Sequence, residues 1–118
     1  MPSDLITGVM VHVGNVEQGL AWYAQAFPLA TREKLANSDF EFLRLGSFLI
    51  EIVSSDHKVS SGPSGSVVYW QVNCLEAEVK RLAGLGAKLY RGPLQTESNW
   101  WMCQMQDPWG NCIGLRGP

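Results

Sequence analysis

The chain has 118 residues, a formal net charge of −2, 46% hydrophobic and 17% charged residues, which is the make-up of one soluble globular domain. A chain of this length can bury roughly two-thirds of its unfolded surface in a real core. It carries no basic run of the kind a non-specific nucleic-acid surface needs, and its longest apolar runs fall far short of a membrane span.

Taken in order, Met1-Pro2-Ser3-Asp4 has neither a basic n-region nor an apolar h-region, so no secretion signal is expected. Residues 8–13 alternate as a strand, with Val9, Val11 and Val13 on one face and Gly8, Met10 and His12 on the other. Asn15 offers an N-cap, and Val16, Leu20, Tyr23 and Phe27 recur at helical spacing, which predicts an amphipathic helix over 16–27 that Pro28 ends. Residues 30–36 carry a weak strand pattern, and Asn37-Ser38-Asp39 is a turn. Phe40–Leu45 and Phe48–Val53 read as strands around a Gly46-Ser47 turn. In the second of these, Phe48, Ile50 and Ile52 share one face, and Leu49, Glu51 and Val53 the other. Residues 54–66, rich in Ser, Gly and Pro, form a linker or loop.

The pattern then returns. Ser66–Val72 is a strand with Val68, Trp70 and Val72 on one face and Val67, Tyr69 and Gln71 on the other, and Asn73 is the N-cap candidate in the place that Asn15 held. Leu75, Val79 and Leu82 give a second helix its stripe, and Gly84–Gly86 close it. Ala87–Tyr90 is a strand and Arg91–Asn99 a long connection. The stretch from Trp100 to Leu115 is a hairpin around Asp107-Pro108-Trp109-Gly110-Asn111, where Asp and Pro initiate the turn and Gly permits a positive φ. Both halves therefore read β-α-β-β-β, offset by about 58 residues, and such a repeat outweighs any single motif. The expected organisation is two modules of about 5–56 and 65–118 within one α+β domain, each with its helix on the Val face of its sheet.

The opposite strand faces are mixed. They carry Gly8, Met10, His12, Leu49, Glu51, Val67, Tyr69 and Gln71, with Trp100, Met102, Gln104, Cys112 and Gly114 from the hairpin. Trp101, Cys103, Met105, Ile113 and Leu115 take the helix side. A face of aromatic and apolar side chains with a few polar groups suits the lining of a concave small-molecule site. Glu51, flanked by Ile50 and Ile52, is either a general base or ligand anchor, or one half of a structural ion pair with Arg44. His12 can hydrogen-bond a ligand or move a proton near neutral pH, although a lone strand histidine is commonly structural. His57 falls in the linker and is expected to be solvated. Trp100 is expected to stack on a planar ligand, whereas Trp22, Trp70 and Trp101 are explained as core. Gln71 and Gln104 are neutral hydrogen-bonding groups, and Trp109 suits either the turn or an interface. Cys74, Cys103 and Cys112 include no CxxC pair, which points to free thiols in a reducing cytoplasm. Cys112 has no base near it in sequence, so it is expected to be inert.

Four stretches carry a resemblance. Val11-His12-Val13-Gly14-Asn15-Val16 through Trp22-Tyr23, Phe48–Ile52, Val72-Asn73 through Gly86-Ala87, and Asp107-Pro108-Trp109-Gly110-Asn111-Cys112-Ile113-Gly114-Leu115 resemble, in order, the motifs of the vicinal oxygen chelate superfamily of glyoxalase, bleomycin-resistance and dioxygenase relatives. The last motif is the most specific, and the match spans nearly the whole chain. The resemblance implies paired βαβββ modules, each a curved mixed sheet around a cleft, and a homodimer. In metal-dependent members it implies a divalent cation on side chains that here correspond to Gly8, Glu51, Val67 and Gly114. Only Glu51 can ligate, so no metal and no other cofactor is expected.

Two functions of different class follow. One is a metal-free binding protein resembling the drug-sequestering, antibiotic-resistance branch of the superfamily. It would hold an aromatic or cationic ligand with Met10, His12, Glu51, Tyr69, Gln71, Trp100, Met102 and Gln104. The other is a metal-independent isomerase or lyase with Glu51 and His12 as acid and base. A metal-dependent glyoxalase- or dioxygenase-like enzyme and a protein-interaction domain rank behind them. The expected partners are a small molecule and a second copy of the chain, without nucleic acid or membrane.

Overall fold

The computed structural model describes residues 6–63, 65–96 and 99–118. The N-terminal tetrapeptide, the expected module start at Leu5, Ser64 of the linker and Glu97-Ser98 of the last connection lie outside the described residues. Two compact units divide the chain between Ser60 and Ser61. Each is a four-stranded mixed sheet with one helix, so the fold is α+β.

The first unit runs β1 (Gly8–Val13), α1 (Val16–Ala26), β2 (Thr31–Lys34), β3 (Glu41–Leu45) and β4 (Phe48–Ser54), with strand order β1-β4-β3-β2. β1 and β4 are parallel; the other pairings are antiparallel. Asn15 caps α1 as its residue type favours, its Oδ1 accepting from the Gln18 amide at 2.9 Å. The buried stripe of α1 is wider than the spacing predicts, because Gly19, Trp22 and Ala26 join Leu20 and Tyr23. Gly19 lets the helix approach the sheet: a Cβ there would lie 2.7 Å from Ile52 Cγ2 and 2.9 Å from Val13 Cγ2. Val13, Leu43, Ile50 and Ile52 form the floor beneath it, all fully buried. Burying such side chains is the main favourable term in folding. At the sheet edge Arg32 ties α1 to β3, 2.6 Å from Glu17 and 3.1 Å from Glu41.

The second unit runs β5 (Tyr69–Gln71), α2 (Leu75–Gly84), β6 (Lys88–Gln95), β7 (Trp101–Gln106) and β8 (Cys112–Gly117), in the order β5-β8-β7-β6 with β5 and β8 parallel. Three details differ from the sequence reading. β5 is shorter than 66–72, although the Gly114 amide reaches Val68 O and the Val72 amide reaches Arg116 O, both at 2.9 Å. That last ladder bond keeps the chain extended past Val72, so the helix starts one residue later. Cys74, not Asn73, is its N-cap, with no side-chain cap bond, and the Leu75 amide donates instead to Pro118 O at 2.9 Å. Arg91–Gln95 is not a connection but the second half of β6. Pro93 is tolerated there because β6 is an edge strand, and the register shift between Arg91 and Leu94 absorbs the Gly92-Pro93 step.

The helix side of this sheet buries Cys103, Met105, Ile113 and Leu115 beneath Leu75 and Leu82. Trp101 belongs to the same face by alternation yet is 40% exposed, contrary to a core role. Its cross-strand neighbour Gly117 has no side chain to cover it. Gly86, at φ +98°, follows α2 and donates to Ala83 O, ending the helix as expected. The turn of the β7–β8 hairpin is held by Asp107, which is 4% exposed. Its Oδ1 accepts from the Trp109 and Asn111 amides, both at 2.8 Å, and its Oδ2 from Asn111 Nδ2 at 2.9 Å. Asn111 Oδ1 in turn accepts from the Gly62 amide, tying the start of the unit to the turn.

Candidate ligand-binding faces of the two sheets

In each unit the helix covers one side of the sheet, so the candidate residues are those on the other. In the first unit the register sets Met10 beside Glu51 and His12 beside Val53 on the parallel pair β1–β4. His12 and Glu51 are therefore diagonal neighbours on one face. Met10 is 53% exposed, while His12 and Glu51 are half-buried. Glu51 makes no ion pair or hydrogen bond with any described residue. The proposed structural pair with Arg44 is not formed: Arg44 Nε binds Glu33 at 3.0 Å, and its guanidinium lies 5.4 Å over the Phe42 ring. His12 lies close enough to Asp56 for its charge to favour that carboxylate. The Val59 and Lys58 amides, both 2.9 Å from Asp56 Oδ1, are the stronger influences and hold it below the usual aspartate range. His57 is exposed in this same loop, as expected.

In the second unit, Tyr69, Gly114 and Gln104 stand in one row across three strands, and Gln71, Arg116 and Met102 in the next. Gln104 Nε2 donates to Tyr69 Oη at 3.0 Å. The Arg116 guanidinium lies 4.8 Å over the Tyr69 ring, a cation–π contact. Arg116 is absent from the sequence reading, although the alternation Cys112, Gly114, Arg116 places it on this face. Gln71 is exposed and Met102 half-buried. Trp100 is half-buried but precedes β7, so strand alternation does not fix its direction. Its carbonyl accepts from the Thr96 amide. Trp109, half-buried, belongs to the Asp107 turn. Cys112 is half-buried, and burial, with the Asp107 charge second, pushes its thiol up, which keeps it protonated and a poor nucleophile.

Of the four places that resemble metal-ligand positions, Glu51 alone carries a ligating side chain. Gly8, Val67 and Gly114 bring no donor atom, and two of them have no room for one. A Cβ on Gly8 would lie 2.7 Å from Leu49 O, and one on Gly114 would lie 2.6 Å from Tyr69 Cδ1. One carboxylate remains, where a divalent ion needs several ligands. Among the described residues no group of three or more His, Cys, Asp or Glu is gathered.

No family model matches the sequence, and no curated protein matches it. Solved structures do match along nearly the full length. One from Burkholderia phytofirmans, described as a glyoxalase/bleomycin resistance protein/dioxygenase family enzyme, is similar with a TM-score of 0.76 and 18% identity over 94% of this chain and 96% of that one. A member of the glyoxalase/bleomycin resistance protein/dioxygenase superfamily from Sphaerobacter thermophilus gives 0.74 and 13% over 97% of both chains. A glyoxalase-related enzyme from Fulvimarina pelagi gives 0.74 and 14% over 98% of this chain and 88% of that one. The chain thus has the glyoxalase/bleomycin resistance/dioxygenase fold, that of the vicinal oxygen chelate superfamily.

Proposed function

We propose that this protein is a small-molecule binding protein of the glyoxalase/bleomycin-resistance type, holding an aromatic or cationic ligand on a sheet face that its helix leaves uncovered, without a metal. The observation that carries the reading is Glu51, a half-buried carboxylate that neither pairs with Arg44 nor joins a set of ligating residues among those described. A carboxylate left in that state favours a cationic or hydrogen-bonding guest. Met10, beside Glu51 in register, supplies apolar surface for its ring. Titration with flat aromatic cations, read by tryptophan fluorescence and melting temperature, tests this. Glu51→Gln is expected to weaken binding about tenfold, the loss of roughly one charge-assisted hydrogen bond. Silence of both signals at saturating ligand removes the reading.

The diagonal placement of His12 and Glu51 favours a second reading, a metal-independent isomerase or lyase in which the pair moves a proton on a small oxygenated substrate. Turnover that survives Glu51→Gln undiminished removes it. We further propose a cytoplasmic homodimer. The three free cysteines support the compartment, and the exposed Leu89, Tyr90 and Leu94 on edge strand β6 support the pairing of copies. No helix among the described residues is long and apolar enough to cross a membrane. Sedimentation at micromolar concentration checks the dimer.

A further inference from the structure

The two sheets differ in charge. The strands of the first carry Glu33, Glu41 and Glu51 among their cations. The strands of the second, YWQ, KLYRGPLQ, WMCQMQ and CIGLRG, contain no acidic residue at all. Their three cations fall on one face. Lys88 is in register with Gln106, Arg91 with Gln104 and Arg116 with Met102, all on the side away from α2. Arg32, Arg44 and Arg81 each have a carboxylate within 3.1 Å, whereas Arg91 and Arg116 have no ion pair with any described residue.

Arg116 is also pre-oriented. Its guanidinium lies 4.8 Å over Tyr69, and the Tyr69 hydroxyl is held by Gln104 at 3.0 Å. The ring has its place because Gly114, between Tyr69 and Gln104 in register, has no Cβ to displace it. A guanidinium held over a ring face still has N–H donors to offer the two oxygens of a carboxylate. Arg91 stands two strands away and two residues along, about 12 Å between Cα atoms from standard sheet spacings, so both long side chains can converge on one anion.

We propose that the open face of the second sheet is an anion-reading face and that the ligand is a planar aromatic acid whose carboxylate is held by Arg116, with Arg91 as the second cation and Tyr69 as the positioning residue. This rests on the small-molecule binding reading above and adds the acid as a group the ligand must carry.

The test compares 2-naphthoate, 2-naphthamide and 2-naphthylmethylammonium by calorimetry and tryptophan fluorescence on the full chain. The acid is expected to bind at least tenfold tighter than the amide, and its affinity should fall with added salt. Arg116→Gln should abolish the acid's advantage while leaving amide binding unchanged; Arg116→Lys, which keeps the charge but loses the fork, should restore part of it. Arg91→Gln should weaken the acid alone, which guards against misfolding of one variant. Equal binding of acid and amide, or an acid-to-amide ratio that Arg116→Gln leaves intact, overturns the anion face. Tight binding of the ammonium compound alone overturns it too, but upholds the binding reading. If all three compounds and the flat aromatic cations are silent, both fall.

Discussion

Gly114 and Tyr69 occupy one site between them. A Cβ on Gly114 would lie 2.6 Å from Cδ1, 2.7 Å from Cγ and 2.9 Å from Cε1 of the Tyr69 ring. The ring takes the space that a side chain on β8 would fill, and Gln104 and Arg116 are arranged around it. Gly114→Ala is therefore expected to cost about 1–3 kcal/mol, the usual range for forcing a methyl into filled space. Tyr69→Ala in the same chain should cancel most of that cost. Urea unfolding of the single and double variants gives the coupling between the two positions, and a coupling near zero shows that the ring does not depend on the glycine.

This relationship shows where reading the sequence stops. Strand alternation places Tyr69, Gln104 and Gly114 on one face, and period-two and period-3.6 patterns give both modules in the right order. The missing donor at Gly114 is legible as an empty place. That a tyrosine two strands' width from Gln104 fills it is not, because contacts between distant segments leave no local pattern. The same limit hides the Arg44–Glu33 pair, since any of several carboxylates suits an arginine by type. Arg91–Gln95 reads as loop because Gly92-Pro93 outweighs the pattern locally, while the edge position that tolerates proline is a tertiary fact. Arg116 is the reverse case: its face was legible, but an exposed arginine near the end of a strand looks like ordinary surface until the Tyr69 ring beneath it is seen.

Gly19 poses a direct contest between helix propensity and packing. Alanine is favoured over glycine in a helix interior by about 1 kcal/mol. A methyl at position 19 would meet Ile52 Cγ2 at 2.7 Å and Val13 Cγ2 at 2.9 Å, both fully buried and held by the sheet. Overpacking is expected to win, and Gly19→Ala should be less stable by about 1–2 kcal/mol in chemical denaturation. A more stable variant would mean that α1 can lift off β1 and β4 without penalty.

Asp107 holds the hairpin turn through three accepted hydrogen bonds from Trp109 and Asn111. Asp107→Ala leaves those donors without their acceptor in a half-buried turn, with an expected loss of about 1–3 kcal/mol. Asp107→Asn keeps an oxygen at one position and should lose less. Thermal melts rank the three proteins, and Asn111 should lose its hold on the Gly62 amide only in the alanine variant, visible as faster amide exchange at Gly62.

The cysteines should separate by reactivity. Cys74 is exposed, Cys112 half-buried and Cys103 buried. Burial raises the Cys103 thiol, and burial followed by the Asp107 charge raises that of Cys112, so both are protonated at neutral pH. The thiolate is the reacting form. Iodoacetamide at pH 7.5 is expected to label Cys74 first, Cys112 more slowly and Cys103 only on unfolding, as followed by peptide mass analysis. Early labelling of Cys112 would contradict its assignment as an inert thiol.

Asp56 sets the acid limit of the loop after β4. Its carboxylate is lowered first by the Val59 amide and then by the Lys58 amide, with the His12 charge adding to both. A group depressed on folding contributes stability that is present above its unfolded value and lost as pH falls through its folded one. For an aspartate whose unfolded value is about 4, that loss begins below about pH 4. The amides of Lys58 and Val59 are therefore expected to exchange faster with solvent between pH 4 and pH 2, while those of β1 and β4 stay protected. Asp56→Asn should remove the pH dependence of the loop, because its side chain accepts the same two hydrogen bonds without titrating. If the loop amides keep a constant protection relative to β4 across this range in the wild-type chain, the carboxylate is not what holds them.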